Sequence, residues 1–553
     1  VVVESGASGA GDGDVDAGET PPGHSVDEHE PNDSVPRAMP VELPTDGGVR
    51  VRGALTAPSS TGTTRPADVD LYRLDGGADR AKRQLRIVLR QAPVAPTPAA
   101  TEPSDLAIEL LDGAGERELL VNDGGPGEPE VLPNVSVHGV RYLRIRAVKP
   151  TPAAAPGYLL DLTTVPLGAG DEVEPNDRAA YASPLMPGGE GDGYHGWRHD
   201  VDYYRVPLVD VPPGSVLRVD VDGVEGVAAS VMVFDSIESQ LAEVRGDRGA
   251  ALVVRSVAVR PGEPHCWVAV RAMAGKNVEQ RYSVRVATEV PVGPQELEPN
   301  DQVAQATVLG EGGAITGYLL PGDQDWYRLK LPPGASMLRA EVTAPDGTDV
   351  KLAAAEGSGR LRSVVDAGGK REPEVLPGLA VQGEVLLKVY GRPKDGNADE
   401  PYRLAWTLAA NDGGFEIEPN DVPATATPWP QEGGGAASGE VRGFLHPRGD
   451  VDCYRLLARG APGETMVTEQ FTVESIPKVR LAMALFDDQR KLIAEVGADP
   501  SMSGGGARRL TSTAKAGQRL SLCVRDASGK VSNPRDTYRL VRAAPAAAPP
   551  PAP

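Results

Sequence analysis

The stretch "RLSLCVRD", residues 519–526, alternates apolar and polar side chains. Leu520, Leu522 and Val524 point one way, and Ser521, Cys523 and Arg525 the other. A period of two over this length predicts a β-strand with one face in a core. Three further segments stand in the same place within a longer order: "YLRIRA" (142–147), "WVAVRA" (267–272) and "LLKVYG" (386–391). Each precedes a closing strand opened by a tyrosine: "GYLLDL" (157–162), "RYSVRV" (281–286), "PYRLAW" (401–406) and "TYRLVR" (537–542).

Working outward, each copy also carries two acidic phrases. Glu-x-Glu-Pro-Asn-Asp begins at Glu28, Glu172, Glu296 and Glu416, at intervals of 144, 124 and 120 residues. An Asp-x-Asp ahead of a tyrosine follows 27 to 40 residues later: "DVDLYRL" (68–74), "DVDYYRV" (200–206), "DQDWYRL" (323–329) and "DVDCYRL" (450–456). Tyr454 and Leu456 take the core parity of the last of these strands. A fixed order in four copies defines a tandem repeat. Copies one and three share "EPEVLPN" (128–134) and "EPEVLPG" (372–378); copies two and four share "VFDSIESQLAEV" (233–244) and "LFDDQRKLIAEV" (485–496). This A-B-A-B pattern reads as a duplicated two-domain unit whose neighbours either pack as pairs or form a flexible string.

The composition agrees. A chain of 553 residues exceeds one core, and 65 Gly with 52 Pro disfavour long helices. We expect an all-β protein of four tandem antiparallel jelly-roll-like β-sandwiches, each of about eight strands. The boundaries read 28–166, 167–291, 292–411 and 412–543. Residues 1–27 read as a flexible acidic Gly-rich tether and 544–553 as a Pro/Ala-rich tail, both disordered.

A net charge of −22 disfavours nucleic acid as a partner. No apolar run is long enough for a transmembrane helix. The chain opens at Val1 without Met; a tether there suits an exported protein with a lipid anchor upstream of Val1, whether periplasmic, outer-membrane-associated, at the cell surface or extracellular. Arg outnumbers Lys 44 to 12, a bias of GC-rich bacterial genomes.

In an extended Glu416-x-Glu418-x-Asn420, all three oxygen-bearing side chains share a side, with Asp421 at the bend. Clustered carboxylates without a base repel one another, and a divalent cation relieves that. Oxygen donors alone favour calcium over zinc. Calcium takes roughly 6–8 oxygens, so the Asp-x-Asp, Asp450 and Asp452 in the last copy, is expected to complete the set.

The combination of E-x-E-P-N-D, D-x-D-x-Y and a terminal Tyr strand resembles the bacterial pre-peptidase C-terminal (PPC) domain. It also resembles the related collagen-binding domain of bacterial collagenases. The resemblance spans residues 28–543 and implies a jelly-roll-like sandwich holding calcium. The positions it implies are Glu28, Glu30, Asn32, Asp33, Asp68 and Asp70 in copy one. In copy two they are Glu172, Glu174, Asn176, Asp177, Asp200 and Asp202. Copy three supplies Glu296, Glu298, Asn300, Asp301, Asp323 and Asp325. Copy four supplies Glu416, Glu418, Asn420, Asp421, Asp450 and Asp452. Calcium is then expected to pin each first strand and stiffen the joint beside it.

Catalysis is not expected. Neither H-E-x-x-H nor G-x-S-x-G occurs, and four equivalent copies argue for structure. His195 and His199 have i, i+4 spacing entering a strand, read as a weak metal site or as loop histidines. "RGD" at 245–247 is discounted as too short. Cys266 takes a core parity. Cys453 and Cys523 share outward parity in copy four and are expected to bridge, in an oxidising compartment. Tyr203 and Trp326, matching Cys453, read either as exposed aromatics or as rings packed under loops; collagen binding itself is doubtful, because no Tyr strip recurs in every copy. The function expected is an exported, calcium-stabilised scaffold or binding subunit for a protein or an extracellular polymer. The alternative is an accessory substrate-targeting region of an extracellular peptidase or polymer-degrading system.

Overall fold

The computed structural model describes residues 24–45, 47–56, 68–75, 82–93, 103–148, 157–332, 336–381, 383–410, 413–430, 439–460, 463–497 and 506–543. The tail expected at 544–553 and most of the tether lie outside these. Residues His24–Asp27, read as tether, form a strand instead, pairing in parallel with Gly47–Ala54. Their backbone extends the sheet edge, a pairing that side-chain polarity does not disclose.

The protein is all-β, and the described residues hold no α-helix, only short 3-10 turns such as Val35–Arg37. Eight sheets pair face to face as four sandwiches in tandem, each with its own apolar core. In the second sandwich one sheet runs Ser183–Pro184, Val201–Pro207, His265–Ala274, Ala228–Phe234, Gln240–Arg245. The other runs Glu190–His195, Asn277–Glu289, Val216–Val221, Leu252–Ala258. The third and fourth repeat this order, and the first adds the 24–27 strand. Each described sandwich thus has nine or ten strands rather than eight, the extra ones being short edge pieces such as Thr427–Pro428.

The alternation read from sequence is realised. Leu520, Leu522 and Val524 are buried, as are Tyr454 and Leu456. The opposite face of that strand is covered too: Cys523 stands directly across from Cys453, and the two form a disulfide packed with Ala426 and Phe486. Cys266 is a free, buried thiol. Of the two aromatics at the matching position, Trp326 is buried beside Leu386 and Ala355, and Tyr203 stacks on Phe234.

Consecutive sandwiches meet along one edge. In the first, Glu130–Ser136 pairs with Arg83–Gln91 until Pro133 and Asn134 stand opposite the single residue Arg86, a β-bulge. Arg255 and Ser256 bulge opposite Arg218 in the second, and Pro377 with Gly378 opposite Arg339 in the third. The strand freed by the bulge receives the next acidic phrase. Ser136 N donates to Glu174 O at 2.8 Å and Glu174 N to Asn134 O at 2.9 Å. At the next joint Ala258 N donates to Glu298 O at 3.1 Å and Glu298 N to Ser256 O at 2.9 Å. The third joint opens into a cleft of about 250 Å³, where Pro377 and Gly378 face Glu418 and Pro419. Packing therefore does not stop at A-B pairs; the second sandwich docks the third as the first docks the second.

The first two joints also carry a plug. Trp197, from the loop ahead of Asp200, sits in the core of the first sandwich. Leu320, ahead of Asp323, sits in the core of the second.

Candidate metal centres

The first glutamate of each phrase accepts a backbone N–H from the neighbouring strand: Ala54 to Glu28 at 2.6 Å, Tyr194 to Glu172 at 3.1 Å, Tyr318 to Glu296 at 2.5 Å and Phe444 to Glu416 at 2.7 Å. The second glutamate accepts the N–H of its own asparagine, Asn32, Asn176, Asn300 or Asn420, at 2.8–2.9 Å. The asparagine carbonyl in turn accepts an N–H from the Asp-x-Asp strand, Leu71, Tyr203, Trp326 or Cys453, at 3.1–3.2 Å. Each phrase is thereby tied to the Asp-x-Asp strand that the spacing put forward as its complement.

The second aspartate points into the sandwich and meets a tyrosine. Tyr158 donates to Asp70 at 2.5 Å, Tyr282 to Asp202 at 2.6 Å and Tyr402 to Asp325 at 2.8 Å; in the fourth copy Tyr538 lies near Asp452, but neither Asp452 oxygen has a hydrogen-bond partner. Each of these tyrosines contacts a second one, Tyr72, Tyr204, Tyr327 or Tyr454, hydroxyl to hydroxyl. The first aspartate is partly occupied by its own loop. Asp68 accepts from Thr56 N, Asp200 from Gly196 N at 2.6 Å, Asp323 from Leu320 N at 3.0 Å and Asp450 from His446 N at 2.6 Å.

Four groups of carboxylates result, each with one oxygen per residue within 4.8 Å of the others. They are Glu30, Asp68 and Asp70; Glu172, Glu174 and Asp202; Glu296, Glu298 and Asp325; and Glu416, Glu418 and Asp452. Glu28 lies beside the first group, 3.2 Å from the hydroxyls of Tyr72 and Tyr158. The last residue of each phrase, Asp33, Asp177, Asp301 or Asp421, stands outside these groups. Asp33, Asp301 and Asp421 are exposed, and Asp301 accepts Gln324 N at 3.2 Å. His195 and His199 do not come together as a strand pair. The strand ends at His195, which packs on Tyr282, while His199 takes a left-handed turn (φ 67°) in the open.

The grouped carboxylates have no Arg or Lys ion pair among the described residues, although the same protein supplies bases to other buried acids. Glu469 pairs with Arg542 at 2.6 Å, and Glu109 has Arg144 and Arg146 both at 2.9 Å. Burying an unpaired carboxylate costs several kcal/mol, so such a group takes up a proton or a cation. Burial, followed by repulsion from neighbouring acids, holds Glu174, Glu298 and Asp325 well above the ordinary carboxylate range. Burial raises Asp70 and Asp450 to about 8, and Asp202, Asp323 and Glu418 to about 7.

Oxygen atoms remain without partners there. The amide oxygens of Asn32, Asn176, Asn300 and Asn420 are buried and unbonded, as are Glu174 Oε1, Glu418 Oε1 and one or both oxygens of Asp70, Asp202, Asp325 and Asp452. Buried acceptors without donors fit a positive ion. These buried acidic clusters could hold a metal ion, and oxygen is the donor type they offer.

Sequence reasoning took the tyrosines as core and passed over a glycine. Gly53, Gly193, Gly317 and Gly443 each lie where an added Cβ would overlap the closing tyrosine's hydroxyl and the first glutamate. The glycine recurs in all four copies between the two acidic phrases, and that recurrence was the available signal.

No family model and no curated protein matches the chain. Solved structures similar in part include the CUB1-EGF-CUB2 domains of rat MASP-1, at 12% identity and a TM-score of 0.13, covering 41% of this chain and 99% of that one. A protein from Eubacterium rectale described as secreted is 9% identical, with a TM-score of 0.16, covering 42% and 80%. The M60 catalytic domain with two CBM51 domains of Clostridium perfringens ZmpB is 10% identical, with a TM-score of 0.13, covering 62% and 33%. At such scores the likeness carries no argument about fold or function.

Proposed function

We infer that the chain is an exported, non-catalytic array of PPC-like β-sandwiches stabilised by calcium, serving as a scaffold or binding subunit for a protein or extracellular polymer. The observation that carries this reading is the pairing, four times over, of a carboxylate cluster lacking bases, with at least one member buried in each copy, with a buried, unbonded asparagine oxygen. Glutamate, aspartate and amide oxygens are the hard donors calcium prefers, and a flexible set of 6–8 suits it better than magnesium's strict octahedron. The residues that would hold it are the two glutamates, the asparagine and the second aspartate of each copy, with the first aspartate beside them. The cation would supply structural charge balance, and the reading assigns it no chemical step. The disulfide between Cys453 and Cys523 supports an oxidising compartment.

The test is a pair of measurements on the full chain. Calorimetric titration with calcium should show several sites, and the melting midpoint should fall when a chelator removes the ion. A chain that takes up no calcium and melts identically with and without chelator overturns the reading.

A further inference from the structure

The metal centre of the second sandwich is not made by that sandwich alone. Asn134, at the bulge of the first sandwich, donates its side-chain amide to the Glu172 carboxylate. Asn176 holds the other oxygen of Glu172 at 2.8 Å, from the second sandwich itself. Glu174, two residues on, is bonded through its backbone to both sides of the bulge. The loop that carries Asp200 is fastened to the first sandwich as well: Trp197 lies in that core, and Arg198 N donates to Asp123 at 2.6 Å. The same arrangement recurs one joint later with Leu320 ahead of Asp323 and Glu298 on the bulge at Ser256.

The first sandwich supplies the comparison. No preceding sandwich covers it among the described residues, and there Glu30 is exposed and Glu28 only half-buried, whereas Glu172 and Glu174 are each 1% exposed. Docking is thus what removes water from the second centre. Dehydrating unpaired carboxylates opposes docking, and a cation among them reverses the sign. Whatever favours the docked state must therefore favour the cation, and by reciprocity the cation must favour docking.

The geometry points to a single linked equilibrium: cation binding at the second centre and docking of the second sandwich on the first, with Asn134 as a positioning residue contributed across the joint and Trp197 as the mechanical tie. This rests on the cation reading above and adds to it that calcium sets how stiffly consecutive sandwiches are joined. The chain is drawn into a jointed rod when calcium is present and loosens at its joints when calcium is withdrawn.

Calcium titration by calorimetry and small-angle scattering, both on the full chain, test this with two variants, Trp197→Ala and Asn134→Ala. Chelation is expected to increase the radius of gyration of the wild type while each sandwich stays folded. Asn134→Ala should weaken one site by roughly 10- to 100-fold, as losing an outer-shell partner does. Trp197→Ala, which removes no oxygen donor, should weaken that same site by about 5- to 150-fold through the coupling alone. A purely structural tryptophan would leave calcium affinity untouched. Should Trp197→Ala unfold the first sandwich, Asn134→Ala decides, because it removes one amide and no core volume. Calcium uptake with wild-type affinities in both variants, or scattering that is the same with and without bound calcium, overturns the linkage while leaving the cation reading intact. A wild type that takes up no calcium overturns both.

Discussion

The hydroxyls of Tyr204 and Tyr282 lie 2.8 Å apart in the core of the second sandwich, and Tyr282 donates onward to Asp202 at 2.6 Å. A buried acid at the wall of the candidate metal centre is therefore held by a group from the opposite sheet. Tyr282→Phe keeps the ring and deletes the donor. Leaving Asp202 short of a partner should cost about 1–3 kcal/mol, seen as a lower melting midpoint of the chelated protein. Calcium should restore part of the loss, because the ion takes over the orphaned oxygen. A midpoint equal to wild type would show that the hydroxyl bears no weight.

Gly193 gives a steric counterpart. A methyl there would overlap the Tyr282 hydroxyl and the Glu172 side chain, both fully enclosed. Gly193→Ala should destabilise by roughly 1–3 kcal/mol, as overpacking does, and weaken calcium uptake at one site. Gly188, whose Cβ would meet nothing within 4 Å, sits in a turn at φ 79°, so Gly188→Ala serves as a control for backbone strain without crowding. If both variants lose stability but only Gly193→Ala loses calcium, crowding at the centre is the cause.

The raised acids set a pH dependence with a definite sign. Asp70 and Asp450 stand at about 8, and Asp202, Asp323 and Glu418 at about 7, all above their unfolded values near 4. The folded, calcium-free chain thus binds more protons than the unfolded one between about pH 4 and 8. That contribution to stability is complete below pH 4 and is lost as pH rises through 7 to 8. Melting midpoints in chelator should fall across this window. Calcium competes with the protons, so the stabilisation it gives should grow over the same range. Midpoints in chelator that rise from pH 5 to 8 would contradict the burial of these acids in neutral form.

The disulfide joins Cys453 and Cys523 across a sequence separation of 70 residues. Closing a loop of that length constrains the unfolded chain, and its removal typically costs about 2–4 kcal/mol. The Cys453→Ala, Cys523→Ala double variant should lower the unfolding transition of the fourth sandwich and leave the other three in place, which differential scanning calorimetry resolves.

Much of this architecture was legible in the residues. Strands showed themselves by alternation, as at Leu520, Leu522 and Val524, because one face of each meets a core. The two acidic phrases were readable as partners because the spacing held four times. The joints were not readable. The residue that plugs into the neighbour is Trp197 at one joint and Leu320 at the next, and His446 lines the cleft at the third, so no shared letter marks the position. The bulge is likewise written as Pro-Asn, Arg-Ser and Pro-Gly, since it depends on backbone geometry more than on side-chain type. Nor could spacing show that His199 turns away from His195, which is a matter of one left-handed backbone angle. The roles of Tyr158 and its equivalents stayed hidden because a core tyrosine and a carboxylate-bonded tyrosine have the same strand parity.

The edge strand of the fourth sandwich, Arg508–Lys515, runs against Met466–Glu474 in unbroken register, Val473 to Arg508 through Met466 to Lys515. It lacks the bulge that lies beside the next acidic phrase on the other three. A foreign acidic phrase arriving there meets a smooth ladder with no notch. Among the described residues, that edge therefore offers a second molecule no bulge of the kind that joins the internal units.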